Sequence, residues 1–130
     1  MILVDSSAWI EYLRATGSPV HHRLRTAFER GEDLATVGAV VLEILAGARD
    51  ERHTAQLRRL IDHCTQLSTE DPVDFEGAAA IYREARRAGQ TPRALLDCLI
   101  AAIAIRTDTP LLQSDRDFKT IASATALRLA

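Results

Sequence analysis

The sequence predicts an α/β fold built on a mainly parallel sheet. Short apolar segments, clearest at Ile2–Asp5 and Pro110–Ser114, alternate with longer segments of helical periodicity. That alternation is typical of parallel strands joined by helices. Of the 130 residues, 47% are hydrophobic and 26% are charged, which is ordinary globular composition and excludes a disordered chain. We therefore expect a single domain spanning residues 1–130.

In the first half of the chain, capping residues and helical spacing predict four helices around two strands. Ser18 and Pro19 combine an N-cap with a proline at the first helical position, and Gly31 is a typical helix end. The predicted order is a strand at Ile2–Asp5, a helix carrying Trp9, Ile10 and Leu13, a helix between Ser18 and Gly31, a strand at Leu34–Val37, a helix at Ala39–Arg49 and an amphipathic helix from Glu51.

In the second half, the same signals predict three more helices. Two of them begin at an X-Pro pair, and Gly89 ends the first of these. The predicted order is a weak strand around Leu67, a helix from Asp71-Pro72 to Gly89, a helix from Thr91-Pro92 through Arg106, a strand at Pro110–Ser114, a short helix at Asp115–Ala122 and an edge strand at Ala126–Leu129.

Charge and cysteine content exclude several classes of protein. The formal net charge of −2 argues against a simple basic nucleic-acid binder. It does not exclude RNA, because Lys119 is the only lysine and the other positive charges are arginines, which pair well with phosphate. No apolar stretch approaches the roughly 20 residues that a membrane helix needs, and the N-terminus lacks the basic region of a signal peptide. Cys64 and Cys98 form no CxxC pair. We expect a reduced, cytoplasmic protein.

Two acidic residues directly follow predicted strands. Asp5 ends the first strand, and Asp115 stands just beyond the strand Pro110–Ser114. Ligands of parallel α/β sheets bind at the carboxyl ends of the strands, so both side chains belong to the edge where a site is expected. The alternative for each is a structural role as a helix N-cap.

Asp97 is the most informative residue. The segment Ala94–Ile105 reads ALLDCLIAAIAI and is apolar on every face except at this position. An ionised carboxylate buried there without a partner costs several kcal/mol, and aspartate is a poor residue in the middle of a helix. The structural alternatives are a buried pair with an arginine such as Arg93, or an exposed stripe.

Glu43 repeats the argument in the segment VGAVVLEILAGA, where its helix face is apolar and small. A solvated position is the alternative, since glutamate is a good helix former. Four carboxylates in one site raise each other's pKa unless a cation neutralises them. Oxygen-only ligands favour Mg²⁺ or Mn²⁺ over zinc. None of the four histidines lies in a zinc-binding motif.

Three further residues accompany the four acids. Ser6 and Ser114 adjoin two of the acids, so their hydroxyls are candidates to hydrogen-bond a ligand carboxylate or a bound water. Asp117 is a candidate fifth acid, with a surface position in the first turn of its helix as the alternative.

Four motifs in order, DSSAWIEYL, AVVLEILAG, LLDCLIAAIA and LLQSDRDF, resemble the PIN domain, in particular the VapC toxins of bacterial toxin–antitoxin pairs. The resemblance covers the whole chain. It implies a three-layer α/β/α sandwich with a five-stranded, mainly parallel sheet. It also implies that the catalytic, metal-binding acids are Asp5, Glu43, Asp97 and Asp115, and it leaves the role of Asp117 as a ligand open.

The activity implied by the resemblance is Mg²⁺- or Mn²⁺-dependent cleavage of RNA by metal-activated water. It further implies a homodimer and inhibition by a cognate VapB-like antitoxin. Arg93 and Arg116, the arginines nearest in sequence to the acids, are candidates to hold flanking phosphates. Trp9 and Tyr12, which share one helix face, are either core residues or part of a partner surface.

Rival families fit less well. A phospho-receiver domain needs an acidic pair at the first strand, and a HAD-type phosphatase needs a DxD motif there, whereas this chain has Asp5-Ser6-Ser7. A DxSxS metal-binding adhesion module fails because Trp9 replaces the second serine. The alternative from another class is a catalytically silent PIN-like module that binds RNA or protein without cutting.

Overall fold

The computed structural model describes all 130 residues, which form four short strands and seven helices joined by loops. The strands are β1 (Ile2–Val4), β2 (Leu34–Val37), β3 (Thr65–Leu67) and β4 (Leu111–Leu112). The helices are α1 (Ser6–Leu13), α2 (Pro19–Arg30), α3 (Gly38–Ala46), α4 (Glu51–Asp62), α5 (Val73–Arg87), α6 (Leu95–Arg106) and α7 (Arg116–Ala124).

All four strands run parallel, in the order β3-β2-β1-β4. Leu3 pairs with Ala35 of β2 on one side and with Leu111 of β4 on the other, so β1 lies in the interior of the sheet. All three residues of β1 are buried, as expected for a parallel strand that is covered on both faces. The carboxyl ends of β1 and β4 therefore lie side by side at one edge.

The sheet has four strands rather than the five expected. The segment Ala126–Leu129 forms only a single parallel bridge, between Leu129 and Leu111. The N–H of Leu111 donates to the carbonyl of Arg128 at 2.9 Å, and the N–H of Ala130 donates to Leu111 at 2.8 Å. Because β4 is only two residues long, it can make few backbone hydrogen bonds with this segment, which therefore does not form a fifth strand.

The helices confirm the predicted order, with shifted boundaries. Ser18 caps α2 by accepting from the N–H of His21, and Gly31 ends that helix at a φ of 64°. The helix α3 stops at Ala46, short of the predicted end, because the chain turns at Gly47. The helix α6 begins at Leu95 rather than at Pro92, so the residues before it form a loop.

The core consists of 27 buried residues contributed by the sheet and the surrounding helices. Trp9 is 1% exposed, and its ring lies 6.2 Å from the ring of Tyr12 and 6.0 Å from that of Phe28. Within this chain, Trp9 is therefore a core residue. None of the helices combines the length and the apolar character that crossing a membrane requires.

An ion pair ties α5 to the end of α6. Asp74 is 1% exposed, and its carboxylate accepts from Nε of Arg106 at 2.8 Å and from Nη2 at 2.9 Å. Nη2 also donates to the carbonyl of Ser68, and Nη1 donates to the exposed Glu70 at 3.2 Å. These contacts hold the pKa of Asp74 below its ordinary value. The buried carboxylate is thus fully paired.

We expect Asp74→Asn to lower the free energy of unfolding by about 2 kcal/mol, since it removes the charged hydrogen-bond partner of Arg106, whose side chain is partly buried. Glu70→Gln is the matched control, because Glu70 is 53% exposed and exposed pairs contribute about 0.5 kcal/mol. Urea denaturation in the presence of a chelator measures both. Equal losses in the two variants would contradict this interpretation.

Candidate metal centre

Five acidic side chains approach one another beyond the carboxyl ends of β1 and β4. The sheet positions two of them, since Asp5 follows β1 and Asp115 follows β4. The helices supply the other three: Glu43 from α3, Asp97 from the first turn of α6 and Asp117 from the first turn of α7. Asp5, Asp115, Glu43 and Asp117 are all close enough to Asp97 to raise its pKa. The structure thus brings together all five predicted acids.

Asp5 uses its two carboxylate oxygens differently. Oδ2 caps α1, accepting from the N–H of Ser7 at 2.9 Å and from its hydroxyl at 2.5 Å. Oδ1 is buried and has no hydrogen-bond partner. Burial is the main reason that the pKa of Asp5 is raised. A buried, unpartnered carboxylate oxygen is costly, and a bound cation would remove that cost.

Asp97 is 8% exposed, and its carboxylate takes part in no hydrogen bond or ion pair. It lies in the first turn of α6 rather than in the middle of a helix as expected, because α6 starts later than the sequence indicated. The pair with Arg93 that stood as a structural alternative is absent, because Arg93 pairs with Asp115 and Asp117. Burial and then the neighbouring carboxylates, Asp5 first among them, raise the pKa of Asp97 to about 7.

Asp115 and Asp117 complete the innermost part of the cluster. Oxygens of Asp97, Asp115 and Asp117 all lie within 4.8 Å of one another. Asp115 also caps α7, with Oδ1 accepting from the N–H of Asp117 at 2.9 Å. Arg93 contacts both Asp115 and Asp117. Asp115 therefore caps a helix and belongs to the acidic cluster at the same time.

Glu43 lies at the edge of this cluster. Its side chain is half-buried, and the hydroxyl of Ser6 donates to its Oε1 at 3.2 Å. Burial, followed by the charges of Asp5 and Asp115, raises the pKa of Glu43. The structure thus places Glu43 beside the other acids and not on a solvated face of α3.

Only one of the two predicted serines contacts an acid of the cluster. Ser6 contacts Glu43, whereas the hydroxyl of Ser114 donates to Glu11 at 3.3 Å and reaches none of the five acids. Ser7 is the residue that the sequence analysis missed. Its hydroxyl donates to Asp5 and accepts from the backbone N–H of Ser114 at 2.9 Å, thereby joining the ends of β1 and β4. Its position two residues after a helix-capping aspartate was the available signal.

The donor set fits a hard divalent cation. The converging ligand atoms are carboxylate oxygens, which Mg²⁺ and Mn²⁺ prefer, and one of them, Oδ1 of Asp5, is buried without a partner. Asp97 also lacks a counter-charge. No histidine or cysteine belongs to the group of metal-competent side chains. The residues present therefore fit a divalent cation held by oxygen ligands.

A cavity of about 680 Å³ adjoins the cluster. Ser6 and Glu43 line it on the side of the acids. Arg14, Arg49 and His53 line it elsewhere, together with apolar residues of α1, α3 and α4. The cavity thus connects the acidic edge to a surface that carries positive charge.

A model of the PIN domain family matches residues 2–124. The chain belongs to the PIN domain family. Ribonuclease VapC11 of Mycobacterium tuberculosis is 45% identical to it over 131 residues, which cover 100% of this chain and 98% of VapC11. The resemblance indicated by the four sequence motifs is therefore confirmed.

Two solved structures share the PIN fold at low sequence identity. VapBC2 from Rickettsia felis, bound to a DNA fragment from their promoter, matches with a TM-score of 0.78 and 16% identity over 100% of this chain and 98% of that chain. VapC20 of Mycobacterium tuberculosis, a sarcin–ricin loop cleaving toxin, matches with a TM-score of 0.69 and 18% identity over 98% and 99% of the two chains. These likenesses confirm the predicted α/β architecture.

Asp97→Asn should stabilise the cation-free protein, and the gain should depend on pH. The pKa of about 7 means that folded Asp97 keeps its proton well above the ordinary value of 3.8. The free energy of unfolding of the wild type therefore falls as the pH rises between these two values. The asparagine side chain has no proton to lose, so the variant does not show this fall. The gain is at most about 4 kcal/mol, because a tenfold change in proton affinity corresponds to about 1.4 kcal/mol.

Urea denaturation in chelator, from about pH 4 to about pH 8, measures this difference between the variant and the wild type. Asp62→Asn is the control, since Asp62 is exposed and pairs only with Arg58. A stability difference between Asp97→Asn and the wild type that stays constant across this pH range would show that Asp97 does not hold a raised pKa.

Proposed function

We propose that this chain is a Mg²⁺- or Mn²⁺-dependent endoribonuclease and the toxin of a toxin–antitoxin pair. The observation that carries the proposal is the convergence of buried carboxylates around Asp97, with one oxygen of Asp5 left unpartnered. The 45% identity to a protein named ribonuclease VapC11 supports RNA as the substrate. Residues 1–130 form a single domain in this proposal.

In this proposal Asp5, Glu43, Asp97 and Asp115 hold the cation. When bound, a divalent cation supplies Lewis acidity that lowers the pKa of a water nucleophile and stabilises negative charge on the phosphoryl group. Asp5 and Asp115 are held in place by their helix-capping hydrogen bonds. Since Asp97 has no other partner, its carboxylate is fully available.

Glu43 has a second task in this proposal. Its carboxylate lines the cavity next to the cluster and is oriented by the Ser6 hydroxyl. It is therefore placed to orient a water molecule that enters from the cavity. A glutamate carboxylate in this position is also a suitable acceptor for a proton from that water.

The cavity provides a path for the RNA strand. Arg14 and Arg49 line it and make no ion pair, and Arg116 is exposed beside Asp115, also without an ion pair. Free guanidinium groups bind phosphates through paired hydrogen bonds. We assign these three arginines to phosphates on either side of the scissile bond. Arg93, the other arginine suggested by the sequence, is engaged with Asp115 and Asp117.

The partners proposed for this chain are a VapB-like antitoxin and a second copy of the chain. The fold match to VapBC2 supports the first, since the VapBC family consists of toxin–antitoxin systems. The cytoplasm is the proposed location of the activity, because the proposed substrate, cellular RNA, is found there. The alternative of a silent binding module is disfavoured because all four principal acids are present and close together.

The direct test is cleavage of total RNA by the purified chain. We expect discrete fragments with Mg²⁺ and none with chelator. Asp97→Asn should reduce cleavage at least about 100-fold, since it removes a ligand from the proposed centre. Asp62→Asn, which changes an exposed aspartate far from the cluster in sequence, should cleave like the wild type. An antitoxin encoded beside this chain should suppress the cleavage when added in equimolar amount.

Full cleavage by Asp97→Asn, prepared free of other nucleases, would contradict the proposed metal centre. Stoichiometric RNA binding without turnover, by a wild-type protein that binds Mn²⁺, would favour the silent module instead.

A further inference from the structure

Arg93 makes three contacts with the acids of α7 and its N-cap. Its side chain Nε donates to Oδ2 of Asp117 at 3.1 Å, and Nη2 donates to Oδ1 of Asp115 at 2.9 Å. Its backbone N–H also donates to Oδ2 of Asp117, at 3.0 Å. Arg93 precedes α6 in the loop, so these bonds span about 24 residues and tie that loop to the start of α7.

This arginine is the only basic side chain that pairs with any of the five clustered acids. Asp5, Glu43 and Asp97 have no cationic partner, and burial, followed by the charges of neighbouring carboxylates, raises the pKa of each. Without a divalent cation, the cluster therefore relies on one guanidinium for direct charge neutralisation.

The two ends of this ion pair differ in exposure. The Asp117 side chain is 9% exposed, whereas that of Arg93 is 60% exposed. The contact of Nη2 with Asp115 joins two partly exposed side chains, so breaking it costs little, as exposed ion pairs are weak. Asp117 would still be held by the backbone N–H of Arg93. The contact with Asp115 is thus the weakest of the three, and the backbone contact with Asp117 does not depend on the side chain.

We propose that the guanidinium of Arg93 is the resident counter-ion of the cation-free centre, a positioning residue that opposes the charge of an incoming divalent cation at Asp115. Asp117 serves as its anchor, because one oxygen of Asp117 already accepts two bonds from Arg93. This inference rests on the proposed metal centre for its second half only. The first half, neutralisation of the cation-free cluster, concerns the chain alone.

The test compares Arg93→Gln and Arg93→Lys with the wild type. Glutamine removes the charge but keeps the backbone bond to Asp117, and lysine restores the charge without the forked geometry. Lys119→Gln is the matched control, because Lys119 is an exposed cation of α7 that makes no ion pair. Thermal unfolding in chelator and calorimetric titration with Mn²⁺ are the two measurements.

In chelator, Arg93→Gln should melt about 3 °C below the wild type, since the cluster loses its neutralising charge. It should bind Mn²⁺ about threefold to tenfold more tightly, because one positive charge no longer opposes the ion. Arg93→Lys should lie near the wild type in both measurements. Lys119→Gln should match the wild type.

Two results would overturn the inference. An unchanged melting temperature of Arg93→Gln in chelator would make the contact an ordinary surface ion pair. Weaker Mn²⁺ binding by Arg93→Gln would mean that Arg93 organises the ligands rather than opposing the cation. If the wild type itself binds no Mn²⁺, the proposed metal centre fails, and the melting temperatures in chelator alone decide whether Arg93 is the counter-ion.

Discussion

Repulsion between carboxylates at one edge of the sheet is the constraint on which the site depends. Because β1 and β4 are parallel neighbours, the residues that follow them, Asp5 and Asp115, emerge side by side. Burial of Asp97 among them raises its pKa to about 7, so the cation-free protein is less stable with these groups ionised. Buried acids that destabilise the cation-free protein are typical of a functional site, and they are expected where the cluster binds a cation.

Two of these acids combine a structural role with a place in the acidic cluster. Oδ2 of Asp5 caps α1 while its Oδ1 stays unpartnered, and Oδ1 of Asp115 caps α7. Capping fixes each carboxylate without occupying all of its oxygens. The sequence presented helix cap and metal ligand as alternatives for these residues, but a carboxylate has two oxygens and can serve both purposes.

Local apolar patterns and the geometry of parallel strands were sufficient to predict the α/β fold and the meeting of Asp5 with Asp115. The layers and the place of Glu43 and Asp97 in the same cluster were expected from the resemblance to the PIN domain. Asp97 was correctly predicted to be buried, although α6 starts later than its Thr91-Pro92 signal suggested. The bonds of Arg93 were not predictable, because they depend on how α6 packs against α7 rather than on neighbours in sequence. The same holds for Ser7, which bridges two strand ends.

The most direct test of the central claim is a crystal structure of the chain soaked in Mn²⁺, with data collected at the manganese absorption edge. The account predicts anomalous density bounded by the carboxylates of Asp5, Glu43, Asp97 and Asp115, with ligand oxygens at about 2.0–2.3 Å. It also predicts that this density disappears in Asp97→Asn crystals. Saturating Mn²⁺ that leaves this edge of the sheet empty, or that binds only elsewhere, would contradict the account.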